Sequence, residues 1–185
     1  MRVRSEEGFG LIELMMAMLM LNIGILAIVA SFNSGAVALK RASHVSTASA
    51  LADQQMEAYR ALLYSQIGFD TSRMSGFDNT YKCDSVLGPS CPNTVTPDDD
   101  SHIDGMVPHY STCGSANQCL PTRTVSGGTS PDGYPYRIDS YILYATQTNG
   151  RQLKQITVVV RDGNTPTKSF ARLTSTFDQI GRAHV

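Results

Sequence analysis

Residues 9–30 read FGLIELMMAMLMLNIGILAIVA, and in that run only Glu13 and Asn22 are strongly polar. At about 1.5 Å per residue a helix over this run is about 33 Å long, enough to cross the hydrocarbon core of a bilayer. An ordinary signal peptide would have a shorter apolar region of roughly 7–15 residues without a carboxylate, followed by a small-residue cleavage site. Val29, Ala30 and Ser31 supply only a weak version of that site. A plain anchor accounts for the length but not for Glu13, because an ionisable group inside an apolar span costs on the order of a few kcal/mol unless a partner compensates it. The run therefore predicts a membrane-spanning helix whose glutamate has a partner to find.

Working outward, no proline interrupts the chain from Phe9 to Gly68, which predicts one long helix ending at Gly68. After Ser31 its character changes. Val45, Ala48, Ala52, Met56, Tyr59 and Leu63 recur at three- and four-residue spacing, while Lys40, Arg41, Asp53, Glu57 and Arg60 fall off that stripe. Such an amphipathic half needs a sheet to cover it. Residues 134–177 supply one: Tyr136–Tyr144, Leu153–Arg161 and Phe170–Phe177 are rich in aromatic and β-branched residues. Asn149-Gly150 separates the first two runs, and Asp162-Gly163-Asn164 with Pro166 separates the second and third. A long helix and an antiparallel three-stranded meander make an α+β fold with the helix on one sheet face.

The intervening residues 69–133 are polar, rich in Gly, Pro, Ser and Asp, and hold Cys83, Cys91, Cys113 and Cys119. The spacing does not form the paired CxxC knuckles of a zinc site, and an even cysteine count in a loop-rich exported region predicts two disulfides in an oxidising compartment. Among the three connectivities, local pairing of Cys83 with Cys91 and Cys113 with Cys119 is expected. The net charge of −1 and the lack of a basic stripe argue against nucleic-acid binding.

Gly8, Phe9 and then Gly10-Leu11-Ile12-Glu13-Leu14 resemble the prepilin signature: a glycine, an aromatic first mature residue and a glutamate at the fifth mature position. The resemblance implies that a prepilin peptidase cuts between Gly8 and Phe9 and methylates the new amino terminus. It also implies that Glu13 meets the amino group of Phe9 on a neighbouring subunit during assembly, so that two charges pair inside an apolar bundle. Leu21-Asn22-Ile23-Gly24-Ile25-Leu26 resembles PilV-type minor pilins and I-type pseudopilins. Glu6 and Glu7, directly before Gly8, depart from the usually basic leaders of this class, although Arg2 and Arg4 remain. The resemblance spans about the first 60 residues, and its implied plan is a pilin-like fold.

The expected organisation is a leader (1–8), a transmembrane and assembly half-helix (9–30), an amphipathic half-helix (31–68), a disulfide-bearing loop region (69–133), a meander (134–178) and a tail (179–185). No GxSxG, HExxH, GxxxxGK[ST] or CxxC arrangement is present, so no catalysis by this chain is expected. His44, His102 and His109 lack ligand spacing. No metal is expected either; Asp98, Asp100 and Asp104 are the one group that could hold calcium, but they miss the EF-hand spacing and read as a solvated acidic loop.

The function expected from the whole is that of a minor pilin, inserted once in the inner membrane with its carboxy-terminal region outside the cytoplasm and later carried on the pilus surface. Its partners would be the peptidase and other pilins or pseudopilins. A type II secretion pseudopilin is the alternative within the class, and an anchored binding module that never assembles is the alternative outside it.

Overall fold

The computed structural model describes residues 10–70, 77–88, 107–109, 119–146 and 152–178. Helix α1 runs from Leu11 to Arg60, and two compact units divide the chain at Ala42/Ser43.

In the second unit, strands β3 (Thr122–Val125), β4 (Tyr136–Thr146), β5 (Gln152–Asp162) and β6 (Ser169–Phe177) form an antiparallel sheet in the order β3-β4-β5-β6. The three expected strands are present with ends shifted by one or two residues, and β3 is an addition. Its Thr122-Arg123-Thr124-Val125 run is short and half-exposed, so its pairing with β4 is a long-range choice rather than a local propensity. Asn149-Gly150 lies outside the described residues. In the β5–β6 loop the Asp162 carboxylate accepts the amides of Asn164 (2.9 Å) and Thr165 (3.2 Å), an Asx turn. The Gly163 amide donates to the Pro135 carbonyl at 3.0 Å, and a Cβ on Gly163 would stand 2.8 Å from that same oxygen. The loop thus needs glycine where it crosses the β4 approach.

Side chains alternate across the sheet. One face carries Tyr136, Ile138 and Ile142 of β4 beside Ile156, Val158 and Val160 of β5, all buried. Against it lies the carboxy-terminal part of α1 through Ala48, Leu51, Ala52, Gln55, Met56 and Tyr59. The helical stripe is thus turned slightly from the expected one: Leu51 and Gln55 belong to it, whereas Val45 and Leu63 are 41% and 46% exposed. Positions 48, 51, 52, 55, 56 and 59 trace a single strip at 3.6-residue periodicity.

The helix also ends earlier than expected, at Arg60 rather than Gly68. The Leu62 amide bonds the Tyr59 carbonyl, a three-residue step that tightens the last turn, and a single 3₁₀ turn follows at Tyr64–Gln66. Leaving the helix lets Ile67 and Phe69 become fully buried. Lys154 holds the new path, its Nζ donating to the carbonyls of Tyr64 (2.8 Å) and Ile67 (2.7 Å) and lying 4.5 Å from the Tyr64 ring centre. Then β1 (Phe69–Asp70) pairs in parallel with β2 (Pro108–His109), and Val107 joins both to the main sheet by donating to the Ile142 carbonyl at 2.9 Å.

The other sheet face is covered by residues 77–88, which contain the short helix α2 (Asn79–Lys82) and a 3₁₀ turn at Ser85–Leu87. Asp78 caps the first by accepting the Tyr81 amide at 2.9 Å, and Asp84 caps the second by accepting the Val86 amide at 3.0 Å. Tyr81 is fully buried, stacked between Phe77 (4.5 Å) and Tyr141 (4.4 Å). Its hydroxyl donates to the Ser140 carbonyl at 2.5 Å.

Candidate assembly segment

The first unit contains the amino-terminal part of α1, and nearly every large apolar side chain there is exposed, from Leu11 (79%) and Ile12 (73%) to Phe32 (75%) and Leu39 (74%). The helix contains a window long and apolar enough to cross a membrane, and none of that window is buried within the chain. Among the described residues nothing of the chain covers this hydrocarbon, and an apolar surface of that extent is the kind that lipid or other helices bury. Glu13 lies in the first turn, its amide donating to the Gly10 carbonyl at 3.0 Å. A carboxylate there faces the positive end of the helix dipole. A Cβ at Gly24 or Gly35 would meet no atom of the described residues within 4 Å, so no contact among them demands glycine at either position.

Gly8 and Phe9 lie outside the described residues, as do Cys91, Cys113, Asp98, Asp100 and Asp104. Cys83 and Cys119 are each disulfide-bonded. Cys83 is exposed at the end of α2 and Cys119 is buried. The expected local pairing depends on Cys91 and Cys113. Among the described residues no group of three or more His, Cys, Asp or Glu side chains could hold a metal ion.

Sequence reasoning placed His44 on the helix and stopped there. The fold brings it to the β3–β4 loop, where its Nδ1 lies 2.8 Å from Asp132 Oδ2. The same carboxylate accepts from the Tyr136 hydroxyl (2.5 Å), the Ser130 hydroxyl (2.6 Å) and the Tyr134 amide (3.2 Å). Burial pushes the Asp132 carboxyl up, but the Ser130, Tyr136 and His44 bonds outweigh it and hold the group well below the usual carboxylate range. An ionised Asp132 only accepts, so His44 Nδ1 carries a hydrogen in this pair. The His44 ring also packs on Tyr134 at 4.3 Å, clamping the helix to the loop. Only the joint partners, 88 residues apart, give this histidine its role.

Sequence reasoning also missed an alternating chain of acids and arginines between the sheet and residues 77–88. Asp139, fully buried, accepts from Arg137 Nε and Arg161 Nε, each at 2.8 Å. Arg137 continues to Asp78, with one bond of 2.9 Å and a second to the other oxygen. Arg161 continues to Asp84, which also accepts from Arg172 at 2.7 and 3.0 Å. Three carboxylates and three guanidiniums thus balance in charge beneath α2. The signal in the sequence is the spacing Arg137, Asp139, Tyr141 on one face of β4, with Arg161 on β5, but it does not say what covers that face.

Asp78, Asp84 and Asp162 are held low as well. For Asp78 the Arg137 bond outweighs burial; for Asp84 and Asp162 burial raises the carboxyl, and backbone amides with neighbouring cations or hydroxyls more than offset it. A folded value below the unfolded one stabilises the fold fully above the unfolded carboxylate pKa of about 4, and that stabilisation is lost as pH falls through the folded values. Thermal midpoints are therefore expected to stay level from neutral pH to about pH 5 and then to fall steeply below about pH 4. Asp132→Asn, which has no carboxylate to protonate, should show a lower midpoint at neutral pH and a shallower acid decline. An unchanged acid decline in that variant would remove Asp132 from the account.

No family model, curated protein or solved structure matches the chain.

Proposed function

We propose that this chain is a single-pass, non-catalytic membrane subunit whose amino-terminal helix is first a bilayer anchor and then an assembly element. Within that class we propose a minor pilin of a type IV pilus, processed between Gly8 and Phe9 by a prepilin peptidase and built into, or priming, the filament beside other pilins. The observation that carries this reading is an apolar helix left uncovered by its own chain that nonetheless has Glu13 in its first turn. Lipid alone answers the apolar surface, whereas the glutamate calls for a cationic partner, and the methylated amino group of Phe9 on a neighbouring subunit is one. The remainder of the protein stands outside the cytoplasm in this reading, which suits the disulfides at Cys83 and Cys119. Local pairing with Cys91 and Cys113 belongs to the same proposal.

The experiment is the intact mass and amino-terminal sequence of the protein recovered from membranes of a cell that carries a prepilin peptidase. A chain beginning at methylated Phe9 is expected. An uncut chain beginning at Met1 would instead define an anchored binding module, and a chain beginning after the apolar run would define a secreted protein. Filament or secretion machinery co-purifying with the processed form separates a pilin from a type II secretion pseudopilin.

A further inference from the structure

Residues 77–88 dock on the sheet through contacts that use no sulfur. Asp78 binds Arg137, Asp84 binds Arg161 and Arg172, the Tyr81 hydroxyl reaches the Ser140 carbonyl, and Tyr141 donates back to the Tyr81 carbonyl at 3.2 Å. Cys83 lies between the two anchoring aspartates, its amide tied to the Asn79 carbonyl at 2.9 Å, and it is exposed while Tyr81 and Asp84 on either side are buried. We infer that the acid–arginine chain docks this segment before any disulfide forms, and so fixes where Cys83 is presented to its oxidising partner.

Docking restricts the cysteines that Cys83 can reach and leaves its exposed thiolate free to attack the disulfide of an oxidant. Each bond then forms as two thiols lose two protons and two electrons to an oxidant of the disulfide class, which is itself reduced to a dithiol. The ionic contacts direct the pairing, and the disulfide then secures the segment that they have already placed. This inference does not depend on the filament role and holds for any exported version of the chain.

The test uses the full chain in detergent, fully reduced with a phosphine and compared with its oxidised form by amide hydrogen exchange. Protection at Lys82, Cys83, Val86 and Leu87 is expected to survive reduction; its loss on reduction alone would overturn the inference. In a second arm, the reduced chain and its Asp84→Asn variant are reoxidised with oxidised glutathione, and their disulfides are mapped by peptide mass. The parent is expected to give one pairing and the variant a mixture, and a single parental pairing in the variant would overturn the templating role. Should Asp84→Asn not fold, Arg172→Gln decides, since it leaves the Asp139 pairs intact and weakens the same anchor. A mispaired fraction no larger than the parent's in that variant would equally overturn the inference.

Discussion

Asp139→Ala is expected to lower the unfolding free energy by about 3–5 kcal/mol, a large share of the roughly 5–15 kcal/mol of a typical domain. The substitution removes little volume, so the effect does not come from a cavity. It comes from Arg137 and Arg161, both buried, whose Nε atoms lose their acceptor at once. Asp78 and Asp84 still hold the far side of each guanidinium, but the balance of three negative against three positive groups is broken by one. Asp139→Asn keeps one acceptor oxygen and is expected to lie between the parent and alanine. Replacing Arg137, Asp139 and Arg161 together by apolar residues of similar volume is expected to recover much of the loss, because a buried ion network is scarcely more stable than a well-packed apolar one. Urea unfolding of the full chain in mild detergent, followed through the near-ultraviolet signal of the stacked Tyr81 and Tyr141 rings, measures all three. A midpoint for Asp139→Ala equal to the parent's would mean that water reaches these guanidiniums.

Glu13→Ala is expected to have the largest effect on function, and with opposite signs in two assays. Removing a carboxylate from the first turn of an apolar span makes insertion more favourable, by less than the roughly 2.5–3.5 kcal/mol that a charge costs at the helix centre, so membrane retention should hold or improve. Assembly on the proposed reading loses its one charge pair, and incorporation into filaments is expected to fall on the order of tenfold or more, since each 1.4 kcal/mol corresponds to a factor of ten. Glu13→Asp, with the charge kept on a shorter arm, should retain part of the incorporation. Quantitative blots of sheared filaments and of membranes from the same cells separate the two effects. Parental incorporation by Glu13→Ala would reduce the glutamate to a tolerated polar residue.

Much of the architecture is legible in the chain because it rests on local physics. The run from Phe9 to Ala30 is apolar on nearly all sides, which marks a helix that has to be buried on every face. The alternation in Tyr136–Tyr144 and Leu153–Arg161, together with the Asp162-Gly163-Asn164 loop, places neighbouring strands in an antiparallel meander whatever else happens. Those features depend on residues within a few positions of each other, where helix period, strand period and turn chemistry act. The helix ends eight residues before the expected Gly68, since Arg60–Gly68 has no helix breaker until its last residue; beyond Arg60 the path is held by Lys154, which binds the Tyr64 and Ile67 carbonyls from about 90 residues away. His44 and Asp132, or Asp139 and its two arginines, read as ordinary surface polar residues one at a time. The first pair exists only once the β3–β4 loop meets the helix, and the second group only once β4 sets Arg137 and Asp139 on the face opposite the helix and residues 77–88 close over them. Apolar periodicity thus marked the long helix and three of the four strands of the main sheet, whereas β3 and the partners of the buried charges were decided by tertiary structure alone, because a charge carries no periodic signal of what will neutralise it.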